Sequence, residues 1–226
     1  MVTELVATLL RLPSVTQVVV TRNVPELLAL PVDPRLTVVE NQQPAGFGAN
    51  HNAAFRHCRE RWFCVLNPDI ELIEDPFPQL VEILQQQGAA LVAPRILGAS
   101  GQTEDSFRSF PTVASLTAKA LFCQEGRFPY DEHAEFVAPD WVAGMFMLVD
   151  TRDFVAVDGF DESYFLYYED VDLCARLRQR GRAVLVDLTV SARHQAQRAS
   201  HRNLTHLRWH LISLSRFLWR YRRGVS

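Results

Sequence analysis

The sequence predicts an α/β domain on a mixed, mostly parallel sheet flanked by helices. Three observations predict it. Helical and strand-like patterns alternate with short links over residues 1–95. The segment Trp62–Leu66 is a continuous apolar run, as expected of a strand covered on both faces. The chain has 226 residues, of which 48% are hydrophobic and 22% charged, enough for one domain with a full core.

The elements follow in order. Thr3–Leu12 carries Leu5, Leu9 and Leu10 at helical spacing and is closed by Pro13. Val15–Thr21 is a β-branched run and reads as a buried strand, and Leu36–Glu40 is another. Between them Pro25, Pro31 and Pro34 mark a loop. Gly46–Gly48 is a tight turn into a helix over Ala49–Arg59. The strand Trp62–Leu66 comes next, then a helix over Pro76–Gln87 stopped by Gly88, then a strand over Ala89–Ala93. Residues 95–140 are rich in Gly, Pro and polar residues, and an irregular region of that length is usually functional. Beyond it, Val171, Leu173, Cys174 and Leu177 recur at helical spacing behind Asp170, which can cap that helix; Gly181 ends it after a basic last turn. Ala183–Val190 reads as a strand. From Leu204 the residues Leu204, Leu207, Leu211, Leu214, Leu218 and Tyr221 form one helical stripe flanked by arginines. The predicted division is a domain over residues 1–200 with a basic amphipathic helix, 201–226, packed on it.

Charge and composition exclude several classes. The net charge is −3, yet residues 188–226 hold eight Arg and no Asp or Glu, leaving −11 on the rest. Lys119 is the only lysine, and nothing around it suggests Schiff-base chemistry. The four cysteines (Cys58, Cys64, Cys123, Cys174) are scattered without C-x-x-C pairs and read as free thiols of a reducing compartment. The longest apolar run, Trp141–Val149, falls short of the roughly 20 residues of a membrane span. With no signal-peptide pattern, the expected location is cytoplasmic. No nucleic-acid-binding motif accompanies the basic tail. That tail reads either as a packed helix with a solvated basic face or as a peripheral contact with an anionic membrane.

Four constellations carry chemistry. Asn67-Pro68-Asp69 follows a strand directly, where open α/β sheets bind ligands and a carboxylate can hold a hard cation; it equally suits a simple turn. Gly46-Phe47-Gly48 permits close backbone approach at a helix start. Between Asp158 and Asp172 lie six carboxylates, three of them (Glu169, Asp170, Asp172) crowding one turn. Such repulsion calls for a cation, a hydroxyl or an arginine opposite. His194 gains interest only as a partner of Asp69 on a metal.

Together these segments resemble family 2 glycosyltransferases of the GT-A (nucleotide-diphospho-sugar transferase) fold. G-F-G-x-x-x-N and the strand into N-P-D match the front half of that family. W-V-A-G-x-x-x-L-V, G-F-D-E-x-Y-F-x-Y-Y-E-D-V-D-L-x-x-R and His194 match the back half. Gly101-Gln102 with Ser106–Thr112 is similar to the middle motif of the rhamnosyltransferase-like branch that builds bacterial cell-surface polysaccharide.

The resemblance implies roles. Asp69 would bind a divalent metal, Mg²⁺ or Mn²⁺, with His194 completing its coordination. Asn67, standing where the family has an aspartate, would accept from a ribose hydroxyl. Asn23 and Asn52 fall where the donor nucleotide is contacted. Asp170 would be the general base of inverting transfer, and Glu169 would orient it or bind the acceptor. Trp141, Arg108 and Arg198 would face the acceptor or the diphosphate. The donor implied is a nucleotide-diphosphate sugar such as dTDP-rhamnose, and the acceptor a saccharide or a lipid-linked one, at the inner face of the cell membrane.

One departure stands out. The family opens with an apolar strand beside the strand Trp62–Leu66, whereas Met1-Val2 runs straight into a helix. The expectation is a sheet lacking that strand. Either the start lies upstream of Met1 and the protein is an active enzyme, or this copy is a non-catalytic remnant or accessory sugar-nucleotide-binding module.

Overall fold

The structure, a computed structural model, describes residues 1–122, 128–195 and 204–225. Its first half follows the predicted alternation: α1 (Val2–Leu9), β1 (Val18–Arg22), β2 (Leu36–Glu40), α2 (Phe47–Phe55), β3 (Trp62–Leu66), β4 (Ile70–Leu72), α3 (Phe77–Gln87) and β5 (Leu91–Leu97). The polar middle region holds β6 (Phe107–Arg108), α4 (Val113–Phe122) and β7 (Phe136–Val137). Then come β8 (Trp141–Val142), β9 (Phe146–Asp150), α5 (Thr151–Ala156), α6 (Glu169–Gln179), β10 (Val184–His194) and α7 (Leu204–Arg220).

The main sheet has the order β3-β9-β5-β10-β4, with β7 pairing on β10. β3, β5 and β10 run in one direction, but β9 lies antiparallel between β3 and β5, and β4 and β7 are antiparallel to β10. The sheet is therefore mixed. The apolar run Trp141–Val149 gave no sign of direction, because a buried strand reads alike both ways.

Alternate residues of the strands feed two cores, as a period of two requires. Leu91, Met147, Val149, Val184 and Val186 pack with Phe154, Leu173 and Leu177 of α5 and α6. Val92, Ile96, Phe146, Leu148 and Leu185 pack with Val6, Leu9, Leu80, Ile83 and Leu84 of α1 and α3. Gly88 ends α3 in the left-handed conformation (φ 58°) that the sequence anticipated.

Several boundaries differ from the sequence reading: β1 is Val18–Arg22 and not Val15–Thr21, α1 and α2 begin and end earlier than read, β5 runs on to Leu97, and α4 forms inside the region read as irregular. Two further differences matter for function. β10 continues beyond Val190 to His194, across a bulge between Asp187 and Ser191. The buried Asp187 carboxylate holds that bulge by accepting from the N–H and hydroxyl of Thr189 at 2.8 and 2.6 Å. His194 is thus pinned in the sheet opposite Ile70 of β4, next to Asp69. Secondly, Asp170 is not the cap of α6. The helix starts at Glu169 behind Tyr168, which makes no side-chain capping bond.

Among the described residues β1 and β2 pair only with each other, in parallel. Between β1 and the free edge of β3 runs a groove of about 490 Å³, lined by Val18, Val20, Trp62, Cys64 and Leu148 among others. Among the described residues no strand occupies that space.

Candidate active site

The carboxyl ends of β3, β5 and β10 and the start of β9 meet in one region. β3 delivers Asn67, whose N–H donates to the Met145 carbonyl at 2.9 Å; Ile70 N–H then donates back to the Asn67 carbonyl at 3.2 Å. This tight turn projects Asp69 toward β10, and Asn67 and Pro68 line the groove beside β3. The Asp69 carbonyl accepts from Gln195 N–H at 2.9 Å, which ties the turn to the end of β10.

His194 brings three acidic and basic groups into line. Its Nε2 lies 3.1 Å from Oδ2 of Asp69, and its Nδ1 lies 2.8 Å from Oε2 of Glu104. Oδ1 of Asp69 is buried and has no hydrogen-bond partner among the described residues. No three His, Cys, Asp or Glu side chains among the described residues converge on one point. Asp69 and His194 nevertheless fit a hard divalent cation as a pair. They offer an oxygen and a nitrogen 3.1 Å apart and a buried carboxylate oxygen without a partner among the described residues, and substrate oxygens would have to complete the shell. Mg²⁺-type sites are commonly built this way, with few protein ligands and substrate phosphates.

The acidic turn forms the second half of the region. Asp170 accepts from Gly144 N–H at Oδ2 (2.9 Å) and from Val171 N–H at Oδ1 (2.8 Å). Burial pushes its carboxyl above the ordinary carboxylate range, against the opposing pull of those N–H groups. Glu169 is 4% exposed, its Oε2 has no partner among the described residues, and burial together with the Asp170 charge raises it to about 8. The pair is delivered by two successive left-handed residues, Tyr167 (φ 71°) and Tyr168 (φ 69°). Non-glycine residues adopt that conformation at a cost and only where surroundings hold them. Here α7 holds them. Tyr167 hydroxyl meets His206 Nδ1 at 3.0 Å, Ser213 hydroxyl donates to the Leu166 carbonyl at 2.9 Å, and the Tyr168 ring packs on Phe217. Phe47 N–H donates to the Phe165 carbonyl at 2.9 Å from the other side.

The carboxylates are sorted as their crowding demanded. Asp172, fully buried, accepts from Arg176 Nε at 2.7 Å and Tyr221 hydroxyl at 2.9 Å, and forms an ion pair with Arg220 Nη1 at 3.1 Å. Asp161 pairs with Arg220.

Trp141 and Arg108 stand opposite each other in the β6–β8 pair, at the Asp170 end of the region. Trp141 Nε1 donates to the Ser109 carbonyl at 3.0 Å, and Arg108 is held by Asp105 while its charge reaches Tyr168. Asn23 lies across the groove with its amide committed to its own chain: Oδ1 accepts from Ala45 N–H (2.8 Å) and Asn41 (2.9 Å), and Nδ2 donates to the Ala45 carbonyl. Asn52 stands apart. Its Oδ1 accepts from Phe160 N–H and its Nδ2 donates to the Phe160 carbonyl, both at 2.9 Å, so it clamps the G-F-D-E turn on the other face of α2. Arg198 lies outside the described residues. Glu104 escaped the sequence reading, because it sits in the irregular region ninety residues from its partner and carries no local signal.

The comparisons agree with this architecture. Residues 21–160 match the model of glycosyl transferase family 2. The rhamnosyltransferase WbbL of Escherichia coli (strain K12) is 32% identical over 191 residues, which cover 78% of this chain and 71% of that one. An N-acetylglucosaminyl-diphospho-decaprenol L-rhamnosyltransferase of Mycobacterium tuberculosis is 29% identical over 167 residues, 70% of this chain and about half (54%) of that one. The crystal structure of GalNAc-T7 with UDP, GalNAc and Mn²⁺ superposes with a TM-score of 0.63 at 12% identity, over 84% of this chain and 39% of that one, and shares the fold. The chain belongs to glycosyl transferase family 2. It is a GT-A-fold, rhamnosyltransferase-like member of it.

Proposed function

We propose that this chain is an inverting, metal-dependent hexosyltransferase that moves rhamnose or a similar sugar from a nucleotide-diphosphate donor to an acceptor hydroxyl. The observation that carries the reading is the placement of Asp170. Its carboxylate is gripped by two backbone N–H groups beside the region that holds Asp69 and His194. The names of the relatives support rhamnose, and the mycobacterial name supports a lipid-linked acceptor.

Asp170 takes the proton of the attacking hydroxyl. A fixed carboxylate needs no reorientation, and its raised pKa brings it nearer the operating pH of a base. Burial and the Asp170 charge raise Glu169 to about 8, so Glu169 keeps its proton at neutral pH beside Asp170. Asp69 and His194 would hold Mg²⁺ or Mn²⁺, which supplies stabilisation of the charge growing on the leaving diphosphate. Asn67, on the groove beside β3, offers an uncharged amide to the donor's ribose. Trp141 and Arg108 flank the acceptor side.

Asp170→Asn is the test. Donor binding, measured by calorimetry, stays within about threefold, and sugar transfer falls by at least the ~10²–10⁴-fold that a positioned base contributes. More than a tenth of wild-type turnover in the variant overturns the assignment. Donor binding by a wild-type protein that turns nothing over favours a sugar-nucleotide-binding module instead.

The outer face of α7 supports a membrane-surface partner. The sequence stripe Leu204, Leu207 and Leu211 points outward, not onto the domain; Phe217 and Ser213 make the packed face. With Ile212 and Trp219 also exposed and Arg208 and Arg222 among them, this face suits an anionic lipid surface. No helix among the described residues is long and apolar enough to cross a membrane.

A further inference from the structure

Glu104 reaches His194 from the side opposite Asp69, 2.8 Å from Nδ1, while Asp69 stands 3.1 Å from Nε2. A neutral imidazole has one N–H and one lone pair. When Nδ1 carries the hydrogen and donates it to Glu104, the Nε2 lone pair faces the Asp69 carboxylate. Two acceptors then oppose each other across a gap that calls for a cation. Oδ1 of Asp69, without a partner among the described residues, points to the same need.

We infer that Glu104 is a positioning residue that locks His194 in its Nδ1–H tautomer, so that Nε2 and the Asp69 carboxylate together form the protein's share of a divalent-cation site. The inference rests on the reading of Asp69 and His194 as the metal pair. Carboxylates on the far nitrogen of a ligating histidine commonly set its tautomer and raise its basicity.

The chain is built to bring Glu104 there. β5 ends at Leu97, and the chain reverses through Gly98 and Gly101, the latter at φ 76°. Gly98 N–H donates to the Gln102 carbonyl at 2.9 Å, and Glu104 N–H donates back to Ile96 at 2.8 Å. A Cβ on Gly98 would stand 2.9 Å from Oε1 of Glu104, so the bare glycine leaves the carboxylate its place. The segment after Glu104 then ties the two halves of the region together. Ser106 N–H donates to the Glu104 carbonyl (2.9 Å), and the Ser106 carbonyl accepts from Ala143 (2.8 Å), the residue before the Gly144 that grips Asp170.

The test measures Mn²⁺ affinity of the full chain without donor, by calorimetry and electron paramagnetic resonance, for wild type, Glu104→Ala, Glu104→Gln, His194→Ala and Asp69→Asn. Circular dichroism checks that each variant is folded. Glu104→Ala is expected to weaken Mn²⁺ binding by roughly 10–100-fold. Glu104→Gln, whose amide oxygen still accepts from Nδ1–H, restores it to within several-fold. ¹⁵N spectra of the imidazole-labelled protein with Mg²⁺ should show hydrogen on Nδ1 alone in wild type and Glu104→Gln. Wild-type affinity in Glu104→Ala, with loss in His194→Ala and Asp69→Asn, overturns the role of Glu104 and leaves the metal pair standing. Hydrogen on Nε2 in the Mg²⁺-loaded wild type overturns it too. No Mn²⁺ binding by wild type, or binding indifferent to Asp69 and His194, removes the metal reading and this inference with it.

Discussion

Gly144 donates its backbone N–H to Oδ2 of Asp170 across 2.9 Å, joining the W-V-A-G segment to the acidic turn. The glycine also leaves room: a Cβ there would lie 3.0 Å from two atoms of the Phe47 ring and 3.6 Å from Cβ of Asp170. Gly144→Ala should therefore press on the Phe47 ring and, where the ring does not yield, move residue 144 and the N–H that Asp170 accepts by tenths of an ångström, while the methyl's contact with Asp170 itself is an ordinary one. The expected outcome is a drop in turnover of roughly 10–100-fold, since small misplacements of a catalytic group are costly. The melting temperature should move by only a few degrees. Unchanged turnover in a folded variant would remove the claim that this contact sets the base.

Much of this was legible in the sequence, for identifiable reasons. β2 and β3 were read with their observed ends, because short apolar or β-branched runs between polar links have few alternatives. Asp69, His194 and Asp170 were singled out by motif. What escaped depends on contacts between distant residues. The path of β10 to His194 needs a bulge held by Asp187, and the left-handed pair Tyr167–Tyr168 needs α7 to hold it. Glu104 finds His194 only through a reversal built on Gly98 and Gly101. The stripe on α7 was visible, but which face would be covered was not, because buried Phe217 and Ser213 lie off that stripe.

Asn52 offers a clean separation of structural and binding roles. Both ends of its amide are bonded to the Phe160 backbone, and Oδ1 crowds the left-handed Gly159 (φ 64°). Asn52→Ala leaves a buried donor and acceptor without partners, which costs about 1–3 kcal/mol. Urea denaturation should show that loss, with donor affinity within about twofold of wild type. A large loss of donor affinity at unchanged stability would return Asn52 to the nucleotide site.

Glu169 predicts a pH dependence of stability. In the folded protein it holds its proton up to about pH 8, whereas its ordinary value is 4.5. Between those values the folded state binds more protons than the unfolded chain. The stabilisation from this group is thus complete below pH 4.5 and is lost as pH rises through 8. Asp170 is shifted in the same direction, also by burial. Glu169→Gln removes the Glu169 part of the slope. Scanning calorimetry at pH 5 and pH 8.5 should find the wild type losing at least roughly 5 °C more than the variant, at ~2–4 °C per kcal/mol for a domain of this size. Parallel curves would mean that Glu169 is ionised in the folded protein.

The α7 face makes a prediction about surfaces. Leu204 is 81% exposed and Trp219 71%, values that a helix keeps in water only at a cost. The flanking Arg208 and Arg222 carry charge to the same side, and no acidic residue occurs from 188 to 226 to offset it. Hydrophobic insertion and attraction to anionic headgroups should then act together. The full chain should float with phosphatidylglycerol vesicles at low salt and not with phosphatidylcholine vesicles. Binding should weaken as salt rises, because the Debye length shrinks from about 30 Å at 0.01 M to about 10 Å at 0.1 M. Leu211→Asp should lower vesicle affinity by roughly tenfold or more while leaving transfer to a soluble acceptor unchanged, since Leu211 faces away from Phe217 and the domain. Failure to bind anionic vesicles at low salt would eliminate the membrane partner. Binding untouched by Leu211→Asp would move it to another face of the protein.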